Sequence, residues 1–279
     1  YGDHMAIGAF NRDYGGPSRG VVYMKSFNGT DWVDTQKLMG NFSASGNDFF
    51  GLTIRIDKDT MIITETWLNG VVYVYRYNNS LWELEQILYP DPLPIQQEFG
   101  FSADIHDNTI VVGSGAKNST VYVFTRVDTT WTLEAKIRND DAFALEETFG
   151  IYVSVYANTI AVGSWASTPD SARIGSVYIY DRTGAVWDFT ERLVAFDGAV
   201  GDFYGHTVKL SQDTLLVTAL ASDFNATLLN TGSVYAYTRI GSNYIFQQKI
   251  IPPTFNADDN FGGSIAIQSN KLAIAAFRA

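Results

Sequence analysis

The chain has 279 residues, 46% of them hydrophobic and only 18% charged, a composition that can bury a core rather than stay disordered. A net charge of −11 and the lack of any Lys/Arg cluster exclude a nucleic acid or an anionic membrane surface as the natural partner. With no cysteine there is no disulfide, thiolate metal ligand or thiol nucleophile, and no apolar run reaches the ~18–20 residues of a membrane-spanning helix.

The opening residues Tyr1-Gly2-Asp3-His4 carry no basic region or cleavage signal, so the chain is expected to be either mature or cut from something longer. The first predicted element is a strand over His4 to Phe10, followed by a strand Gly20-Val21-Val22-Tyr23-Met24-Lys25-Ser26-Phe27, a turn at Asn28-Gly29-Thr30, and a strand beginning at Trp32. That Gly-Val-Tyr segment then returns around Tyr73, Tyr122, Tyr178 and Tyr235, at spacings of 50, 49, 56 and 57 residues. Nine residues after each tyrosine stands another aromatic: Trp32, Trp82, Trp131, Trp187 and Tyr244. A fixed offset inside a drifting period means a hairpin of constant length.

A second hairpin precedes the first in each repeat. It opens with an aromatic-Gly pair (Phe50-Gly51, Phe99-Gly100, Phe149-Gly150, Tyr204-Gly205, Phe261-Gly262) and runs through an alternating strand, a polar turn and an apolar strand such as Ile110-Val111-Val112-Gly113. The units fall at about 1–49, 50–98, 99–148, 149–203, 204–260 and 261–279. Those four strands joined up and down cannot bury both faces of one sheet alone, but sheets stacked radially can. The predicted fold is an all-β propeller of four-stranded antiparallel blades, a single domain over 1–279, with the tyrosines of strand 3 and the aromatics of strand 4 packed between sheets. The last unit supplies a strand 1 that can close a five-bladed ring with strands 2 to 4 of the first; six or seven blades are expected if the chain is an excerpt.

The aromatic-Gly, Val-Gly-Ser and Gly-Ser-Val-Tyr elements resemble FG-GAP repeats, the units of the integrin α-chain propeller. The resemblance spans nearly the whole chain and is similar in kind to FG-GAP repeats of extracellular and surface proteins. It implies that fold and an extracellular or cell-surface setting. Integrin-type units often carry a calcium loop between strands 1 and 2. Here those turns, such as Ile56-Asp57-Lys58-Asp59-Thr60, are too short and too poor in carboxylates for an ion needing 6–8 oxygens. No metal or other cofactor is expected, and Asp57 and Asp59 read as solvated turn residues.

Function is expected on the long strand 2–3 and 4–1 connections, which share one end of the blades. Asp48, Asp91, Glu98, Asp140, Asp141, Glu146, Glu147, Asp202, Asp258 and Asp259 fall in the 4–1 connections and read as a solubilising rim. His4, His106 and His206 lie in separate units, so neither a catalytic triad nor a histidine metal site is expected, and the chain reads as no enzyme. Sequons at Asn28, Asn41, Asn78, Asn118 and Asn225, all in predicted turns or loops, are glycosylation candidates. One strand 2 is in surplus, so Met5 and Ile7 at one end and Leu272, Ile274 and Phe277 at the other are candidates for assembly by strand addition. The leading expectation is an extracellular structural or adhesion module that binds protein partners, copies of itself included, with a filament or other polymer as one result. A ligand- or glycan-binding propeller of a larger surface protein is the alternative, and a carbohydrate-active enzyme the third.

Overall fold

The structure, a computed structural model, describes residues 2–11, 19–40, 48–66, 70–90, 98–115, 120–138, 148–166, 174–254, 256–268 and 271–277. Every element in it is a β-strand. The first sheet holds β1 (His4–Gly8), β2 (Val22–Phe27) and β3 (Trp32–Leu38); the second holds β4 (Ile54–Asp57), β5 (Thr60–Glu65), β6 (Val71–Asn78) and β7 (Leu81–Leu88). The third comprises β8 (Phe99–His106), β9 (Thr109–Ser114), β10 (Val121–Val127) and β11 (Thr130–Ile137), and the fourth β12 (Tyr152–Tyr156), β13 (Thr159–Ser164), β14 (Ser176–Thr183) and β15 (Val186–Leu193). The fifth contains β16 (Tyr204–Ser211), β17 (Thr214–Ala219), β18 (Ser233–Ile240) and β19 (Asn243–Ile250), and the last only β20 (Phe261–Gln268) and β21 (Lys271–Ala276). In every sheet the strands lie in chain order. The short polar turns permit this, with Lys58, Asp107, Ala157 and Gln212 all in the left-handed region that such hairpins require.

The chain forms two compact units, Tyr1–Gly115 with Tyr122–Leu133, and Ala116–Val121 with Glu134–Ala279. In the first, β5 is buried on both faces. Met61 and Ile63 join Val22, Met24, Phe50 and Tyr73 on one side, while Ile62 joins Phe99, Ile105 and Val112 on the other. In the second, Val177, Ile179 and Leu193 pack against Tyr204, Val208, Leu210 and Val217 of the following sheet. Sheets with two apolar faces stack in series, and the sequence period reflects that.

Both repeated motifs serve this stacking. In each of the four-stranded sheets the aromatic of the aromatic-Gly pair meets the strand 3 tyrosine edge to face: Phe50–Tyr73 at 5.2 Å, Phe99–Tyr122 at 5.1 Å, Phe149–Tyr178 at 5.5 Å and Tyr204–Tyr235 at 5.3 Å. Its backbone meanwhile bridges to the glycine that opens strand 3 of the preceding sheet, Gly20 with Phe50 and Gly175 with Tyr204. At Gly175, with φ of +97°, a Cβ would stand 2.0 Å from the Tyr204 carbonyl oxygen, so only glycine fits.

A further device joins strand 4 to the next sheet. The pairing of β2 with β3, β6 with β7, β14 with β15 and β18 with β19 slips by one residue at the same place, a β-bulge. The next residue then turns towards its neighbour. The Gln36 side chain accepts from Trp82 N (2.8 Å) and donates to Trp82 O (2.9 Å), and Gln86 does the same to Trp131 at 2.8 Å both ways. Glu191 accepts from Tyr244 N at 2.8 Å. Trp82, Trp131, Trp187 and Tyr244 are buried as expected, whereas Trp32 is 40% exposed and leans on Phe27 of its own hairpin. Trp32 sits in the first sheet, which follows no described strand 4 in chain order.

Candidate interaction surface

At one end of the sheets lie the 1–2 and 3–4 turns, with a groove between successive sheets. The groove of about 690 Å³ between the second and third sheets is lined by Asp57, Lys58, Asp59, Arg76, Asp107 and Arg126 among others. Its charges are matched in place. The amide of Asp107 donates to Asp57 Oδ2 at 2.6 Å, Lys58 pairs with Asp107, and Arg76 pairs with Asp59. Asp57 and Asp59 are therefore not simply solvated: one ties its turn to the next sheet and the other holds the end of its own. Arg126 pairs with Glu85 on the preceding sheet while its guanidinium lies 5.8 Å from the Trp131 ring.

The equivalent groove between the fourth and fifth sheets, about 600 Å³, repeats the theme. Arg239 donates two bonds to Asp181 at 2.7 and 2.8 Å and lies 5.5 Å from the Tyr244 ring. Burial alone would raise the Asp181 carboxyl; bonds from Arg239, Thr159 and Thr190 outweigh it and hold the carboxyl below the usual carboxylate range. These grooves staple sheets together. The arginine stands four residues after Tyr122, Tyr178 and Tyr235 in the sequence, but its partner lies in another repeat, which spacing does not reveal.

At the other end, the reading of the 4–1 acids as a solvated rim fails at three positions. Asp48, Asp202 and Asp259 are buried. Asp202 Oδ2 accepts from Ala199 N at 2.8 Å, and Asp259 Oδ2 from Asn256 N at 2.7 Å, each closing the turn before the aromatic-Gly pair. Burial raises the Asp202 carboxyl despite that bond. Glu98 and Asp258 are exposed, while Asp91, Asp140, Asp141, Glu146 and Glu147 lie outside the described residues. A cleft of about 350 Å³ at this end is lined by Asp197, Asp202, Asp223, Lys249 and Phe224 among others; Asp197 already accepts from Tyr235 (2.6 Å) and Lys249 (2.8 Å).

Two buried acids, Glu65 and Asp104, escaped the sequence reading; Asp104 lies 3.6 Å from the Arg55 guanidinium. Glu65 ends β5, where β9 and β13 end in Ser114 and Ser164. Tyr73 donates to its Oε2 at 2.8 Å, yet burial pushes the carboxyl up to about 7, with Asp48 adding to the rise. The signal was available, since a carboxylate closes an otherwise apolar strand. The histidines do not converge. His4 packs 4.3 Å from the Tyr77 ring, His106 ends β8, and His206 lies 4.7 Å from the Tyr152 ring, where burial lowers it to about 4. Among the described residues no group of three or more His, Cys, Asp or Glu is placed to hold a metal ion, and no helix is long and apolar enough to cross a membrane.

The assembly candidates occupy two incomplete sheets. Among the described residues β1 pairs with β2 alone, and β21 with β20 alone. Met5 and Leu272 stand where complete sheets place Met61, Ile110, Ile160 and Leu215, all 0% exposed, yet Met5 is half-buried and Leu272 is 39% exposed. Ile7, at 41%, and half-buried Ile274 correspond to Ile63, Val112, Val162 and Val217, again all at 0%. Phe277 is exposed, its ring lying over Gly263. Of the sequons, Asn28, Asn78 and Asn225 are exposed, and Asn41 and Asn118 lie outside the described residues.

Comparison with solved structures defines the class. Over 98% of its length the chain superposes on 68% of a chain in the crystal structure of the mitotic checkpoint complex, with a TM-score of 0.58 at 10% identity. Over 92% it superposes on 69% of the N-terminal domain of Nup159, with a TM-score of 0.50 at 9% identity. At such identities the likeness is one of fold, and the fold is a β-propeller. Residues 131–180 and 187–237 match the FG-GAP repeat family, so the stretch from β11 through β18 carries repeats of that kind. No curated protein matches the sequence.

Proposed function

We propose that the protein is an interaction module of the cell exterior that binds protein partners through its incomplete outer sheets, copies of itself among them. The observation that carries this is the contrast in exposure between equivalent positions. Leu272 and Ile7 remain about 40% exposed where their counterparts in complete sheets are at 0%. Each side chain so left forgoes part of the roughly 1.5–3 kcal/mol that full burial provides, and the adjoining strand edge offers backbone donors and acceptors to an incoming strand. The segments His4-Met5-Ala6-Ile7-Gly8-Ala9-Phe10 and Lys271-Leu272-Ala273-Ile274-Ala275-Ala276-Phe277 differ at only three of their seven positions, so both present the same strand 2 chemistry. A strand of the Gly-Ser-Val-Tyr type, which pairs with strand 2 in every complete sheet, is the natural complement of the β21 edge.

The FG-GAP match, common in extracellular proteins, and the exposed sequons support the extracellular setting. Binding rather than catalysis is supported by the pairing of charges in both grooves and by the separation of the three histidines. Sedimentation velocity across a concentration series tests the reading: the chain is expected to self-associate, and Leu272→Lys with Ile7→Lys to remain monomeric with unchanged unfolding. Association unaltered by these substitutions would refute it.

A further inference from the structure

Of the three sequons among the described residues, two share a geometry that the third lacks. Asn28 Oδ1 accepts from Thr30 N (2.9 Å), Thr30 Oγ1 (3.0 Å) and Asp31 N (2.8 Å). Asn225 Oδ1 accepts from Thr227 N (2.9 Å), Thr227 Oγ1 (2.8 Å) and Leu228 N (3.0 Å). In both, the sequon is closed into a turn by its own carbonyl and hydroxyl, at an exposed site. Asn78 differs. It is the last residue of β6, paired in register with Leu81, and its Nδ2 donates to Glu83 Oε2 at 3.1 Å.

We infer that Asn28 and Asn225 are N-glycosylation sites and that Asn78 is not, a reading that rests on the extracellular setting proposed above. In the modification, Asn Nδ2 attacks C1 of an oligosaccharide carried on a polyprenyl diphosphate. The N–C1 bond forms, the C1–O bond breaks, and the diphosphate leaves with the electron pair. One amide proton passes to a carboxylate of the transferring enzyme. Three donors on Oδ1 stabilise negative charge as that proton departs, so the turn favours the step rather than merely tolerating it. The product keeps Oδ1 as an acceptor, so the turn survives with the glycan in solvent. At Asn78 the nitrogen is committed to Glu83 and the backbone to the hairpin. Hairpins form in about 1–10 μs, whereas synthesis adds roughly 5–20 residues per second, so the chain has time to sample these turns before a transferase meets it.

The test is glycopeptide mass mapping of the 279-residue chain secreted from a eukaryotic host, with and without peptide N-glycosidase. Most molecules are expected to carry glycan at Asn28 and at Asn225, each lost in Asn28→Gln or Asn225→Gln, and Asn78 is expected to stay bare. Ser80→Thr gives Asn78 the same sequon type as the other two; it is expected to remain unmodified, which separates geometry from hydroxyl identity. Should a Gln variant fail to be secreted, Thr30→Val and Thr227→Val remove the same sequons. Bare Asn28 and Asn225, or Asn78 occupied to a similar extent, would overturn the inference. Because the host imposes passage through the glycosylating compartment, such a failure would leave the location of the native protein, and the edge-binding reading, untouched.

Discussion

Glu65 and His206 pull the pH dependence of folding in opposite directions. Glu65 has its carboxyl raised from 4.5 to about 7, so between these values the folded chain binds more protons than the unfolded one and stability falls as pH rises. His206 is lowered from 6.5 to about 4, so between those values the unfolded chain binds more protons and stability rises with pH. Over the shared window the two slopes offset each other, and single substitutions unmask them. In urea unfolding, Glu65→Gln is expected to gain about 2 kcal/mol at pH 8 relative to its effect at pH 4, and His206→Asn to remove the rise between pH 4 and 6.5. A pH-independent effect of Glu65→Gln would show that burial does not control its ionisation. Gly175 offers a steric counterpart: Gly175→Ala forces a Cβ towards the Tyr204 carbonyl at positive φ and is expected to cost on the order of 3 kcal/mol in the same assay. The role of Gly175 was not legible from residue type alone. A glycine before Val-Tyr announces a special backbone, but not that another repeat's carbonyl lies against it.

Among the elements, the bulge in strand 4 does what no regular strand can. By adding one residue opposite strand 3 it turns Gln36, Gln86 and Glu191 sideways into the next sheet. Gln86→Ala leaves Trp131 N and O without their side-chain partner, and is expected to lower stability by about 1–2 kcal/mol, read by thermal or denaturant unfolding. Gln86→Glu keeps the acceptor, as Glu191 does naturally, but sets a carboxylate against Trp131 O; it is expected to fall between wild type and Gln86→Ala. An unchanged midpoint for both would show that the clamp adds nothing to stability. The hairpins were legible in sequence because both ends of each lie within a dozen residues: the nine-residue offset from Tyr73 to Trp82 encodes β6, its turn and β7. The bulge was not, since an extra residue past the hairpin turn leaves the offset of the aromatics intact and shifts only the later part of strand 4. The buried Asp48, Asp202 and Asp259 were misread for a related reason. Loop carboxylates are usually solvated, and only the closed turn beside the aromatic-Gly pair reveals that Asp202 and Asp259 cap amides.

For the molecule as a whole, the repeat was the strongest signal the sequence held, and it translated directly into stacked four-stranded sheets. The blade number was less accessible, because the first and last sheets carry three and two strands and their sum exceeds one blade by a strand 2. That surplus is the proposed seat of function: β1 and β21 are both strand 2 segments, alike in pattern, whose apolar side chains stay more exposed than their counterparts in complete sheets. Hydrogen–deuterium exchange measured across protein concentration tests this directly. The amides of β21, and those of β1 that do not bond to β2, are expected to gain protection as concentration rises, while β5, β9, β13 and β17 stay as they were. Exchange in β1 and β21 that is fast and independent of concentration, in a chain that still associates, would contradict it.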